Sequence, residues 1–390
     1  MVCLAPRRWL TLLLAVGLSL LATACAVPQV SAQERLFTDV SVALLDRVSL
    51  DSSILGGTQF GGISAIAYDP RTDRLLALSD EHDGVTTPHF YTLTIDLTDD
   101  PAQTGFEDLA IESVTFLRDE SGQPLAPDAL DPEGLALSPS NTLYLSSEGI
   151  HRKDIQPFLG EFDRTSGTLL RTLPIPRSFT ISFDETTRRQ QQGIQSNQGL
   201  EGLTLVASGT ASPTEDPLRL FTINEAPLVQ DLDPDTEEGG RTRFLHYYLG
   251  QGPPLLVAEH LYSLDPVPFA LVNGISEILA LDNGGHFLAL ERALTPLGLQ
   301  VKLFEVALAG ATDISSISSL KGEINATRIH KRLVYNFNVA DTLGETPVRN
   351  LEGMSFGPRL PDGSRSLLIV SDNNFNPREE TEFLLFRLSF

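Results

Sequence analysis

Acidic residues recur at fixed places along this chain, where short apolar strands begin and where the strands after them end. Ser64, Glu133, Glu201, Glu277 and Glu352 follow small or acidic openings (GGIS, DPEG, GLEG, NGISE, NLEG) and lead into apolar runs. A second set, Asp80, Glu81, Glu148, Glu225, Glu291, Asp372 and Asn373, closes the next run in each case. Carboxylates crowded at one opening cannot all stay ionised unless a cation neutralises them or some keep their protons. Hard oxygen donors of this kind suit Ca2+ or Mg2+, with Ca2+ favoured where many carboxylates contribute. Two such ions could bridge a phosphate oxygen and lower the pKa of a bound water. Asp80, Glu81, Glu133, Glu148, Glu277, Glu291 and Asp372 are therefore the candidate metal ligands, and Glu201 and Glu352 the candidate catalytic carboxylates that orient water.

Other chemistries are poorly supplied. The seven histidines show no HxxxH or HExxH spacing, so a zinc site is not expected. The two cysteines, Cys3 and Cys25, both lie near the N-terminus, which leaves no thiolate ligand or nucleophile beyond it. No G-x-S-x-G occurs, and S-x-x-K at Ser318 to Lys321 and S-D-N at Ser371 to Asn373 lack an accompanying K-T-G. Cations that could meet a substrate phosphate are His151 and Arg152, just after SSEG, and Arg292, directly after Glu291. Each has an ordinary solvated charge as its alternative reading.

The strands that must carry these residues repeat about every 70 residues, longer than the ~40 to 50 of familiar propeller blades. Four β-type runs fit in each of the first four periods and three in the last. The missing strand is Val40 to Leu50, VSVALLDRVSL, which would pair with Phe383 to Phe390 and close a ring. The expected fold is all-β: a β-propeller of five four-stranded blades closed by pairing of an N-terminal strand with the C-terminal blade, with a sixth blade in the long third period as the alternative. In such a ring the starts of the inner strands and the ends of the second strands meet at one mouth of the central channel. The competing reading of the repeated glutamates is structural, each accepting backbone N–H bonds from the neighbouring blade. The polar stretch Asp184 to Gln192 is expected to be a surface loop rather than a helix.

The chain has 390 residues and a formal charge of −23. That charge repels nucleic acid and anionic lipid and attracts cations, so no nucleic-acid partner is expected. Residues 1–24 read as an export signal: Arg7 and Arg8, an apolar run from Trp9 to Leu21, and Ala22, Thr23 and Ala24 before Cys25. LATAC resembles a bacterial lipoprotein signal, which implies lipidation of Cys25, with plain cleavage as the alternative. Residues 25–35 would be a tether and 36–390 a single domain. The expected location is the periplasm or cell envelope, with membrane contact only through the anchor, and the expected state is a monomer.

Taken together, GGISAIAYD at 61–69, LLALSDE at 75–81, DPEGLAL at 131–137, LYLSSEG at 143–149, NQGLEGLTL at 197–205, FLALER at 287–292, NLEGMSFGP and LLIVSDNNFNP resemble the phytase-like, or "esterase-like activity of phytase", family of exported bacterial proteins. The resemblance spans essentially the whole chain after the signal. It implies a β-propeller and calcium-dependent hydrolysis of a phosphoric ester, with a small-molecule ester or phosphate as partner. The alternative function is a non-catalytic cell-envelope propeller that binds a ligand or partner protein. The sequence lacks a dense basic cluster, which disfavours strongly anionic substrates such as inositol hexakisphosphate.

Overall fold

Alternating apolar residues on the second strand of each repeat point to two different neighbours, and this builds the ring. In Arg74–Ser79, Leu75 and Ala77 pack into one core with Leu368, Val370 and Phe383, while Leu76 and Leu78 pack into another with Leu135, Leu143 and Phe162. A strand covered on both faces reads as a continuous apolar run rather than an alternating one, as RLLALS does. Five buried apolar clusters of this kind each join two successive sheets, including the last sheet to the first.

The computed structural model describes residues 36–80, 85–207, 216–236, 238–338 and 348–390. Asp39–Phe390 is one compact unit. The expected signal, the tether, Cys25 and Glu81 lie outside the described residues. The described residues hold five four-stranded antiparallel sheets, the five blades of a β-propeller, and no helix long and apolar enough to cross a membrane.

From the axis outwards, blade 1 is Ile63–Asp69, Arg74–Ser79, His89–Leu97 and Phe106–Phe116. Blade 2 is Pro132–Leu137, Thr142–Ser147, Phe158–Asp163 and Leu169–Thr172. Blade 3 is Leu200–Ala207, Leu218–Asn224, Arg241–Leu249 and Leu255–Ser263, and blade 4 is Val272–Ala280, His286–Thr295, Gly298–Ala307 and His330–Asn336. Blade 5 takes Asn350–Phe356, Arg365–Asp372 and Thr381–Ser389 from the end of the chain and Ser41–Leu50 from its beginning. That last strand pairs from Ser41 opposite Ser389 to Leu50 opposite Thr381. Among the described residues the long third period adds no sixth blade, and within the stretch 184–192 Gln190–Gln192 forms a small hairpin with Ser182–Phe183.

Around the axis the inner strands touch backbone to backbone. A methyl group added at Gly202 would lie 2.6 Å from the Ile278 nitrogen, and one at Gly134 2.4 Å from the Glu201 carbonyl oxygen. Gly202→Ala should therefore force neighbouring inner strands apart and cost about 1–3 kcal/mol in a denaturant titration, as overpacked cores do; unchanged stability would show that the axis has room to spare. Hydroxyls add further bonds between blades. Ser64 Oγ donates to the Pro132 carbonyl at 3.0 Å, and Ser276 Oγ donates to the Leu351 carbonyl at 3.2 Å.

Candidate functional site

Each inner strand slips register against its second strand at the same point, by a bulge at Ser64, Glu133, Glu201–Gly202, Ser276 and Glu352. A bulge leaves an extra residue outside the ladder and re-aims its side chain. In three blades that residue is a glutamate. In blade 4 it is Ser276, which corrects the expectation for Glu277. Glu277 is one residue further on, and because the side-chain period of a strand is two, a one-residue offset changes the face. Its Oε1 accepts the N–H groups of Leu203 at 3.0 Å and Ile278 at 2.9 Å, joining blades 3 and 4. Burial raises its pKa well above normal, against backbone N–H bonds from Ile278, Leu203 and Met354 that lower it. For this glutamate the structural reading holds.

The ladders place a second ring one residue beyond the paired positions Ser79, Ser147, Asn224, Glu291 and Ser371. That ring is Asp80, Glu148, Glu225, Arg292 and Asp372. Blade 4 again departs from expectation, since Glu291 occupies the paired position and faces the other way. It accepts the Tyr262 hydroxyl at 2.7 Å and the Asp265 N–H at 2.8 Å, and it pairs with Lys331. Arg292 takes its place in the ring.

The two rings and Asp131 make one electrostatic cluster. Eight carboxyl groups from four blades, Asp80, Asp131, Glu133, Glu148, Glu201, Glu225, Glu352 and Asp372, act on one another's ionisation, and blade 4 contributes the Arg292 guanidinium. Burial, then Glu201, Asp80, Asp131 and Glu148, push the Glu133 carboxyl well up. Burial, then Glu225, Glu148 and Glu352, do the same to Glu201, with Arg292 opposing. Asp80 is raised by burial and by Asp372, Glu352 and Asp131. Glu148 is raised by burial and Asp131, against the Gly199 N–H that it accepts at 2.8 Å. Asp372 is pushed up to about 8 by burial and the charge of Glu352, with the Asn374 N–H and Arg292 holding it down.

Arg292 is fixed among these acids. One terminal nitrogen donates to Glu225 at 3.1 Å and the other to Glu352 and Asn350. Asn350 also donates to Glu352 at 2.8 Å and faces Asp372 in the ladder. Burial alone would lower the Arg292 pKa; Glu352, Glu225 and Glu201 raise it instead, so the guanidinium stays charged. Beside it opens a cavity of about 1130 Å³, which Arg292 lines together with Glu225, Asn350 and Asn374.

Asp131, Glu133 and Glu148 present carboxylate oxygens within 4.8 Å of one another. Oxygens bound to one Ca2+ at 2.3–2.6 Å can be no farther apart than about 5 Å, so this trio fits a single hard cation.

Of the residues expected from sequence, Asp80, Glu133, Glu148, Glu201, Glu352, Asp372 and Arg292 come together at one mouth; Glu277 and Glu291 do not. His151 and Arg152 fall on the short 3-10 turn His151–Lys153 and line no part of the described cavity. His151 Nε2 donates to the Ile194 carbonyl at 2.9 Å, so it is tied to the loop after blade 2. The sequence reading missed Asp131 and Asn350. Both stand two residues before a bulged glutamate, in DPE and NLE, and a strand's period of two is the signal that could have found them.

A family model described as "Phytase-like: Esterase-like activity of phytase" matches residues 58–375. Among solved structures the chain is similar to one titled "The GH130 family of mannoside phosphorylases contains glycoside hydrolases that target beta-1,2 mannosidic linkages in Candida mannan", at 8% identity and TM-score 0.40, covering 92% of this chain and 95% of that one. It is also similar to a putative glycosidase from Bacteroides thetaiotaomicron at 9% identity and TM-score 0.42, covering 87% and 93% of the two chains. A glycosyl hydrolase from Bacteroides ovatus is similar at 10% identity and TM-score 0.41, covering 83% and 84%. No curated protein matches the chain. The family model spans nearly the whole ring, from the approach to blade 1 to the turn after the second strand of blade 5, and the chain belongs to the phytase-like family.

Proposed function

We propose that the protein hydrolyses a phosphoric or closely related ester at the acidic mouth of the propeller, with a divalent cation, Ca2+ being the best suited. The observation that supports this reading is the convergence of eight carboxyl groups, supplied by blades 1, 2, 3 and 5, around one arginine from blade 4. Buried acids that raise one another's pKa destabilise a fold unless they are there to hold something positive. Asp131, Glu133 and Glu148 would hold the cation, with Asp80 and Asp372 beside them. A cation held there would supply Lewis-acid polarisation of an ester oxygen and a more acidic water.

The chain's own groups do the rest. Arg292, held by Glu225 and Glu352, presents its charge to an ester oxygen entering from the cavity. Glu201 and Glu352 orient the attacking water and take its proton. The water oxygen then bonds to phosphorus, the bond from phosphorus to the ester oxygen breaks, and the alcohol leaves carrying that proton. Consistent with the N-terminal motif, the proposed location is the cell envelope, with export directed by residues 1–24, a lipid on Cys25, and a monomer acting on a small-molecule ester.

Melting curves with Ca2+, Mg2+ or Mn2+ against chelator test the reading. Saturating Ca2+ should raise the midpoint by about 5 °C or more. Glu133→Gln and Glu148→Gln should each remove most of that rise, together with turnover on a panel of phosphomonoesters, phosphodiesters and lactones. If no cation moves the midpoint, the hydrolase reading fails and a non-catalytic binding propeller takes its place.

A further inference from the structure

The cavity beside Arg292 is lined by polar and apolar side chains, and the apolar ones have no part in the hydrolysis proposed above. Its polar lining includes Glu225, Arg292 and Asn350, with further polar side chains from the loop before blade 3 and the loops at either end of the first two strands of blade 5. Its apolar lining includes Leu271, Leu294, Leu297, Leu299, Phe337 and Val348. These side chains come from the loop before blade 4, from the hairpin of that blade that turns between Thr295 and Gly298, and from the loop leading to blade 5. Leu297 is 99% exposed and Leu271 70% exposed. Apolar side chains gathered in one cavity with polar groups have the anatomy of a small-molecule site, in which the apolar part gives affinity and the polar groups fix orientation.

Charge narrows the ligand further. The cavity's two arginines each face a carboxylate. Arg292 lies against Glu225 and Glu352, and Arg349 is 4.0 Å from Glu379. A ligand carrying many phosphates would meet no surplus of positive charge here and would face the acidic mouth. A single ester group can be met by Arg292 and Asn350 while its alcohol portion covers the leucines.

On the reading of the mouth as an ester-hydrolysing centre, we infer that the substrate is an amphipathic monoester, one phosphate-like group joined to an alkyl or aryl alcohol that lies on the Leu271–Leu297 wall, and not a polyphosphorylated polyol. The leucine wall is the specificity-determining surface. Leu271 and Leu297 are exposed, so replacing them with asparagine removes apolar surface without opening the core.

Calorimetry with hexylphosphonate and methylphosphonate, in saturating Ca2+, tests this without requiring turnover. Burying several methylenes should make hexylphosphonate bind at least about tenfold more tightly. In the double variant Leu271→Asn, Leu297→Asn that ratio should fall to within about twofold of unity. Equal affinities in the wild-type protein, or a ratio untouched by the double variant, would overturn the inference whether or not the protein is a hydrolase. Turnover is scored separately on hexyl phosphate and methyl phosphate, whose alcohols are similar leaving groups. Absence of turnover on both alongside a normal affinity ratio would sink the hydrolase reading and leave an amphipathic-ligand site. Tighter binding or faster turnover of inositol hexakisphosphate than of hexyl phosphate would overturn the substrate class itself.

Discussion

Kept in chelator, the folded protein should lose several kcal/mol of stability between about pH 4 and pH 8, and calcium should offset much of that loss. The carboxyls of the mouth bind their protons more tightly in the folded chain than in the unfolded one, chiefly because burial penalises the charged form and then because the neighbouring acids repel it. A group of this kind adds stability that is complete below its unfolded pKa, near 4, and disappears as pH climbs through the folded value. For Asp372 that window runs from the ordinary value of 3.8 up to about 8. At ~1.4 kcal/mol per pH unit, a window of that width corresponds to several kcal/mol, shared among the interacting acids of the mouth. Glu133, Glu201, Asp80 and Glu148 shift in the same direction. A divalent cation competes with the protons for the same oxygens, so its stabilisation grows as they leave and reaches about 4 kcal/mol at a thousandfold excess over its Kd. The measurement is a set of urea titrations across this pH range, in chelator and in millimolar Ca2+. A flat profile in chelator would mean that the acids stay ionised and paired in the folded state, and a slope that Ca2+ leaves unchanged would separate the acidic mouth from cation binding.

The ring was legible in the sequence because its pieces are local. Short apolar β-type runs, glycine and aspartate at the turns, and a strand missing at one end but present at the other all act over a few residues, and closure follows from pairing Ser41–Leu50 with Thr381–Ser389. Blade 4 was misread for an equally local reason. NGISE contains both a serine and a glutamate, and anchoring on acidity picks Glu277. Anchoring on the opening residue, Gly62, Asp131, Gly199, Gly274 or Asn350, instead selects Ser276 and keeps Ser64, Glu133, Glu201 and Glu352 in line. The same shift replaces Glu291 with Arg292, and the sign of the charge at that point changes with it. His151 and Arg152 show a different limit. They adjoin SSEG in sequence, but a 3-10 turn follows and the Ile194 carbonyl holds His151. The apolar wall was out of reach altogether, since Leu271, Leu297, Phe337 and Val348 meet only after blades 4 and 5 have docked.

Replacing Arg292 with methionine should move stability, cation binding and catalysis in different directions, and that divergence makes it the most informative single change. Methionine keeps much of the side chain's length and flexibility but removes the charge that Glu225 and Glu352 share. Losing one partner of a buried ion pair leaves the other charge uncompensated and costs about 3–5 kcal/mol, so the variant in chelator should be far less stable near neutral pH. The deficit should shrink towards pH 5, because Arg292 is what lowers the pKa values of Glu225 and Glu352 against burial, and without it both take up protons more readily. Calcium should bind the variant more tightly, since the positive charge nearest the acids is gone. Turnover should move the other way: an ester oxygen that has lost its charged donor in a partly buried site gives up about 2–3 kcal/mol, roughly a hundredfold in kcat/KM. Arg292→Lys separates charge from shape, because an ammonium can neutralise one carboxylate but cannot span Glu225, Glu352 and Asn350 as the planar guanidinium does; it should recover most of the stability and little of the turnover. If Arg292→Met instead weakens calcium binding, Arg292 holds the acidic side chains in place for the cation, and its role is structural rather than one of contact with substrate.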